Sequence, residues 1–207
     1  MKIYLPVAFL LFSFSLSAQD GLPKHFVNVS GGFSKHGTGD LYGYILSAEY
    51  QRYITNKISW SAGIGGTIHD GAQPIFYLHP YTGKLVDGSV RYTTGGLQGF
   101  GHAGYSFVRS KRHEFQVRAG VVARLQSTSL YDVLSITSTQ ISGLPMPVVD
   151  FINTSNQQTI SAGYGAQVLY NFTIQQKTTI GLRAGFQNDT EGDQIAQLSF
   201  SVGRRFK

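Results

Sequence analysis

Residues 160–172, ISAGYGAQVLYNF, decide the fold. Ile160, Ala162, Tyr164, Ala166, Val168, Tyr170 and Phe172 fall on every second position, against Ser161, Gly163, Gly165, Gln167 and Asn171. A period of two belongs to an extended strand, whose successive side chains point to opposite faces. One face is apolar and aromatic, the other small and polar.

The same pattern recurs on both sides of this stretch. Toward the C-terminus it returns in Ile180, Leu182, Ala184 and Phe186, and again in Ala196, Leu198, Phe200 and Val202. Toward the N-terminus it appears in Phe115, Val117, Ala119, Val121, Ala123 and Leu125, and in Ile58, Trp60, Ala62, Ile64, Gly66 and Ile68. Val27, Val29 and Phe33 form a further face, and Tyr42, Tyr44, Leu46, Ala48 and Tyr50 another. Between 90 and 108, Leu97, Ala103, Tyr105 and Phe107 share one parity while Val90 and Tyr92 take the other, which places a bulge at Gly95-Gly96. The count is eight strands, with no helical period beyond the first residues. The chain is all-β.

Connections of two kinds alternate along it. Short ones lie near 52–57, 109–114 and 173–178; long ones are expected at 34–40, 69–89, 127–157 and 188–194. In an up-and-down meander, consecutive connections fall at opposite ends, so short turns gather at one end and long loops at the other, the layout of an outer-membrane barrel. Charge divides the same way. Arg52, Lys57, Arg109, Lys111, Arg112, Lys177, Arg204, Arg205 and Lys207 belong to the short-turn end, and Asp40, Asp70, Asp87, Asp132, Asp150, Asp189, Glu191 and Asp193 to the loops. A nucleic-acid binder would carry a basic face instead, so the net charge of +6 does not point to a nucleic-acid partner.

Met1-Lys2, the apolar run Ile3–Leu16 and the small residues Ser15, Ser17 and Ala18 form a secretory signal pattern, with cleavage expected after Ala18. Residues 1–18 are then a signal peptide and 19–207 the barrel. The absence of Cys removes disulfides, thiol nucleophiles and thiolate metal sites.

Two barrel types fit a two-faced strand. A soluble, lipocalin-like carrier would turn its apolar face inward around a ligand and a charged face to water; a membrane barrel does the reverse. The second face here is Ser, Gly, Thr, Gln and Asn. Only 14% of residues are charged, where soluble domains average about 25%. Small polar residues suit the narrow lumen of eight strands, and Tyr42, Tyr50, Trp60, Phe115, Tyr170, Phe172 and Phe206 suit interfacial girdles. The expected fold is therefore an eight-stranded antiparallel up-and-down transmembrane β-barrel, monomeric and too narrow to conduct.

The signal ending Ser17-Ala18-Gln19, the segment YQRYITNKISWSAGIG (50–65) and the closing QLSFSVGRRFK (197–207) resemble the small outer-membrane β-barrel domain proteins of Bacteroidota-type bacteria. The last strand, with Gly203 followed by Phe206 and then Lys207, is similar to the signal read by the outer-membrane assembly machinery. The resemblance implies a Gram-negative outer membrane, with its lipid and lipopolysaccharide as surroundings. It implies no catalytic motif.

Charges on the inward parity need partners. Glu49, Arg118 and Arg183 fall within one layer of the interior at about 3.3 Å rise per residue, so a network of Glu49 with Arg118 and/or Arg183 is expected, with Arg124 about two pleats higher. His102, inward among glycines, reads as a hydrogen-bonded lumen residue.

Three further groups carry candidate chemistry. His69-Asp70, His79 and Ser89 have the residue types of a Ser-His-Asp site at the outer rim, as a lipid-A-modifying enzyme would need, but no diagnostic spacing. Asp189, Glu191 and Asp193 cluster hard oxygen ligands without the EF-hand spacing, so no metal or other cofactor is implied. The segment 127–157 is long and apolar, with Leu130, Tyr131, Leu134, Met146, Val148 and Phe151 as candidate partner-binding residues. Pro145 and Pro147 argue against one continuous strand through it. The leading functional expectation is a non-enzymatic structural or surface-interaction protein with an unknown surface protein as partner. A rim enzyme and a soluble carrier are the rivals.

Overall fold

The computed structural model describes residues 21–37, 41–79, 81–144, 147–154, 157–175 and 177–207. The expected signal peptide at 1–18, Asp40, Pro145 and Met146 lie outside the described residues. Eight long strands close into one barrel: β1 (His25–His36), β2 (Leu41–Tyr53), β3 (Ile58–Gln73), β6 (Val90–Arg109), β7 (His113–Thr128), β10 (Gln158–Ile174), β11 (Thr178–Asp189) and β12 (Gln194–Phe206). Neighbours in sequence pair antiparallel around the ring, and β12 closes on β1 from His25↔Phe206 to His36↔Ile195. The barrel is an all-β, eight-stranded antiparallel meander, as the alternation predicts.

Four shorter strands stand outside the barrel sheet. β4 (Phe76–Leu78) pairs with β5 (Leu85–Asp87), and β8 (Val133–Thr137) pairs with β9 (Val148–Ile152). A single helical turn, α1 (Thr139–Ser142), lies between β8 and β9 and ends on Gly143 at φ 68°. That left-handed cap is the conformation glycine adopts without a steric penalty.

Alternation sorts inside from outside. On the outward parity, Val121 is 67% and Ile160 78% exposed; on the inward parity, Arg118 is 2% and Glu114 1% exposed. The apolar faces point outward, the reverse of a lipocalin-like carrier. Leu169 breaks the chemistry of its face: it points inward and is fully buried, beside Gln116 and Arg183 in the register.

Three sequence expectations change. The connections at 34–40 and 188–194 are short, because Lys35 and His36 pair on to Ala196 and Ile195, and Asn188 pairs with Gln194. Polar residues at a barrel mouth continue the ladder, so polarity there does not mark a strand's end. The long excursions at that end are 74–89 and 129–157. Second, β3 and β6 pair without a break through Gly95-Gly96, and the register shift lies between Ser106 and Val108, opposite β7. The bulged Phe107 lets it and Val108 both face outward. Third, Val90 and Tyr92 do not need a bulge, because at that height their inward parity faces the mouth rather than a packed lumen.

Candidate functional site

The interior is built in layers. In the middle layer Glu49 accepts from Arg118 at both oxygens, one bond measuring 2.9 Å, and from Arg183 Nη1 at 2.9 Å. Gln167 Oε1 accepts from Arg118 Nη2 and Nε at 2.7 and 3.0 Å, and Asn28 Oδ1 accepts from Arg183 Nη2. Glu49, Arg118 and Arg183 are all buried, so the structure brings these three side chains into one ion cluster. Arg124 stands apart from it. Its Nη2 donates to Thr67 Oγ1 at 3.3 Å, and the carboxylates that attract it are Asp193 and Asp189 at the mouth.

A second buried carboxylate lies one layer lower. Glu114 accepts from Arg205 Nη2 at 2.6 Å, Ser106 Oγ at 3.0 Å, Asn171 Nδ2 at 3.3 Å and the Tyr53 hydroxyl. Sequence reasoning assigned Glu114 to a turn and Arg205 to the basic end. The signal that finds Glu114 is parity, since it continues the inward series Gln116, Arg118. Gly181 leaves room for this packing: a Cβ there would stand 2.9 Å from the Tyr170 carbonyl oxygen and closer still to Asn171 Oδ1. Below this layer the Arg109 guanidinium lies 3.4 Å from the Tyr53 ring centroid and donates to the carbonyls of Pro23 and Asn56 at 2.5 and 3.2 Å, covering the short-turn mouth.

Near the other mouth, His69 and Asp70 separate. His69 is buried in the lumen, with Nε2 2.8 Å from Ser34 Oγ and its ring 5.3 Å from that of His36. Asp70 points outward, to Arg91 and to the Thr93 hydroxyl at 3.2 Å. Adjacent strand residues lie on opposite faces, so no His69–Asp70 dyad forms. His79 Nδ1 accepts from the backbone of Tyr81 and Thr82, and Ser89 Oγ from Ile75 N–H. The candidate Ser-His-Asp set is not assembled. Ser34 and His69 do touch, but among the described residues His69 Nδ1 has no partner to orient it.

The acidic cluster also disperses. Asp189 Oδ1 accepts the N–H groups of Glu191 and Asp193, each at 3.1 Å, and its Oδ2 accepts from Ser161 at 2.8 Å. Asp193 turns into the mouth, where Gln126 Nε2 donates at 3.0 Å and His36 Nε2 stands 3.2 Å away. Glu191 is exposed. Among the described residues, no group of three or more His, Asp or Glu stands close enough together to hold a metal ion.

The segment after β7 is a hairpin. Leu134↔Phe151 and Ile136↔Val149 put four apolar side chains on one face, and the rings of Tyr131 and Phe151 lie 4.8 Å apart. Leu130, Tyr131, Leu134 and Val148 are half-buried; Ile136, Ile141, Leu144 and Phe151 are exposed. The other hairpin exposes Phe76, Leu78 and Leu85.

Outside, aromatic rings encircle the short-turn end. His25 stacks on Phe206 at 5.4 Å and meets the Tyr50 hydroxyl at 2.7 Å; Tyr50 packs on Trp60 at 5.6 Å. Further round, Tyr105, Phe107 and Phe115 contact in series, and His113 bridges Tyr170 and Phe172. The fold is that of a small outer-membrane barrel. Neisserial surface protein A is similar over 88% of this chain and 97% of its own, at 13% identity and TM-score 0.53. Ail, the attachment invasion locus protein of Yersinia pestis, crystallised with the heparin analogue sucrose octasulfate, is similar over 89% and 99%, at 7% identity and TM-score 0.52. No protein-family model and no curated protein matches the chain.

Proposed function

We propose that the chain is an outer-membrane protein with a filled, non-conducting barrel, and that its two outer hairpins form a contact surface for a protein partner. The observation that carries the membrane reading is the outward apolar face, ringed by aromatics and wrapped around a polar interior. Lipid is the surrounding that favours such a face. Entry through the outer-membrane assembly machinery and surroundings of lipopolysaccharide follow from that reading.

The contact reading rests on the β8–β9 hairpin. A two-stranded sheet is at best marginal alone in water, and this one leaves Ile136 and Phe151 exposed on its apolar face. The segment 129–157 contains no Lys or Arg, and 74–89 only Lys84. That composition disfavours a sulfated polyanion, such as the heparin analogue in the Ail structure, and favours an apolar protein surface. The rim-enzyme reading has lost its constellation, because His69 and Asp70 face opposite ways.

Two experiments test the parts separately. Membrane fractionation with boiled and unboiled gel samples should give a detergent-requiring outer-membrane species that shifts on boiling; a soluble, unshifted protein sinks the membrane reading. A photo-crosslinking residue at Ile136 or Phe151 should give a discrete protein adduct in cells, and one at lipid-facing Val121 should not. No adduct at either hairpin position sinks the contact reading alone.

A further inference from the structure

The middle layer of the lumen is not electrically balanced. Arg118 and Arg183 share the single carboxylate of Glu49, and the remaining acceptors, Gln167 Oε1 and Asn28 Oδ1, are neutral. Neutral acceptors satisfy hydrogen bonds but leave one guanidinium charge over. An uncompensated charge removed from water is costly, and the second carboxylate, Glu114, is committed to Arg205.

A cavity of about 20 Å³ lies against this layer on the side of the hairpins. Arg118, Arg183, His102, Ser199, Gln98 and Gln197 are among the residues lining it. Two of them bring buried nitrogens without a partner: Arg183 Nε and His102 Nδ1. Both residues are more than nine-tenths buried, and a buried N–H left unpaired is destabilising. Excess positive charge, unpaired buried nitrogens and a polar hollow therefore coincide at one place.

We propose that the barrel interior binds one small monovalent anion, of the size and charge of chloride, between Arg183, Arg118 and His102. One negative charge cancels the surplus of the layer. The two guanidiniums attract it, and the hydroxyl and amide groups of Ser199, Gln98 and Gln197 complete the shell. A divalent anion would overturn the balance. Through this site, halide concentration sets how tightly the middle of the barrel is held, because a ligand that binds only the folded state stabilises it by mass action.

The decisive test is crystallisation of the native barrel from bromide in place of chloride. An anomalous peak in the cavity, in contact with Arg183 and His102, is expected. Ordered water there with no anomalous signal overturns the proposal, as do bromide peaks confined to the surface. In solution, replacing gluconate by chloride at constant ionic strength should raise the unfolding midpoint of the native barrel. Arg183→Gln should remove that dependence. Should Arg183→Gln not assemble, the native titration stands alone, and equal midpoints in the two salts overturn the site.

Discussion

The two buried carboxylates of the lumen solve the same problem differently. Glu49 serves two arginines and has little else, so its layer carries surplus charge. Glu114 serves one arginine and also accepts from Tyr53, Ser106 and Asn171, so its layer is neutral and rich in donors. Burial is equal; the charge balance is not. In a narrow lumen, what one substitution does depends on how many opposite charges it strands.

The largest effect should come from Glu49→Gln, which leaves two guanidiniums without a carboxylate. A loss of about 3–5 kcal/mol is expected on breaking such a buried cluster, read by denaturant unfolding of the barrel in lipid vesicles. Adding Arg183→Gln should recover about 1–3 kcal/mol through coupling of neighbouring sites; strict additivity of the two losses would break the account. Glu114→Gln strands only Arg205 and keeps an oxygen for the neutral donors, so about 3 kcal/mol, the lower end of the range for a broken buried cluster, is expected. A loss equal to that of Glu49→Gln would erase the distinction between the layers. Gln167→Leu removes only a neutral acceptor from Arg118 and should cost about 1 kcal/mol.

An exposed carboxylate gives the smallest effect. Beside the β4–β5 hairpin the Ser89 hydroxyl and N–H hold the Asp87 carboxyl below the ordinary value of 3.8. A depressed acid favours the folded turn above its ordinary pKa and loses that contribution as pH falls through the lowered one. Ser89→Ala should move the Asp87 titration part of the way back up in an NMR pH series, with the barrel unaffected. An unchanged titration removes the hydroxyl from the explanation.

The barrel strands were legible because every second residue in them faces a different solvent, and the inward charges of the middle layer were legible because Glu49, Arg118 and Arg183 sit well inside their strands. Glu114 was not, although it obeys the same parity. It stands next to a turn, where a charged residue ordinarily meets water; Asn171 pairs with it on the neighbouring strand, but only closure of the barrel brings Tyr53 and Arg205 around it. His36 and Asn188 misled in the same way, as polar residues that continue a ladder. His69 and Asp70 are adjacent in sequence, yet the pleat sends them apart. The bulge at Phe107 left no glycine to mark it.

The pairing of β1 with β12 joins the two ends of the described sequence. Every other barrel pair joins strands that follow one another around the meander, and each can form as soon as its second strand exists. The seam from His25↔Phe206 to His36↔Ile195 must wait for all of them. Until then the chain is an open sheet with two unsatisfied edges, the geometry that invites foreign strands, and its last contact carries the greatest loop-closure entropy. Folding should thus be limited by one late event, and a partner able to shield those two edges would govern how fast the ring completes.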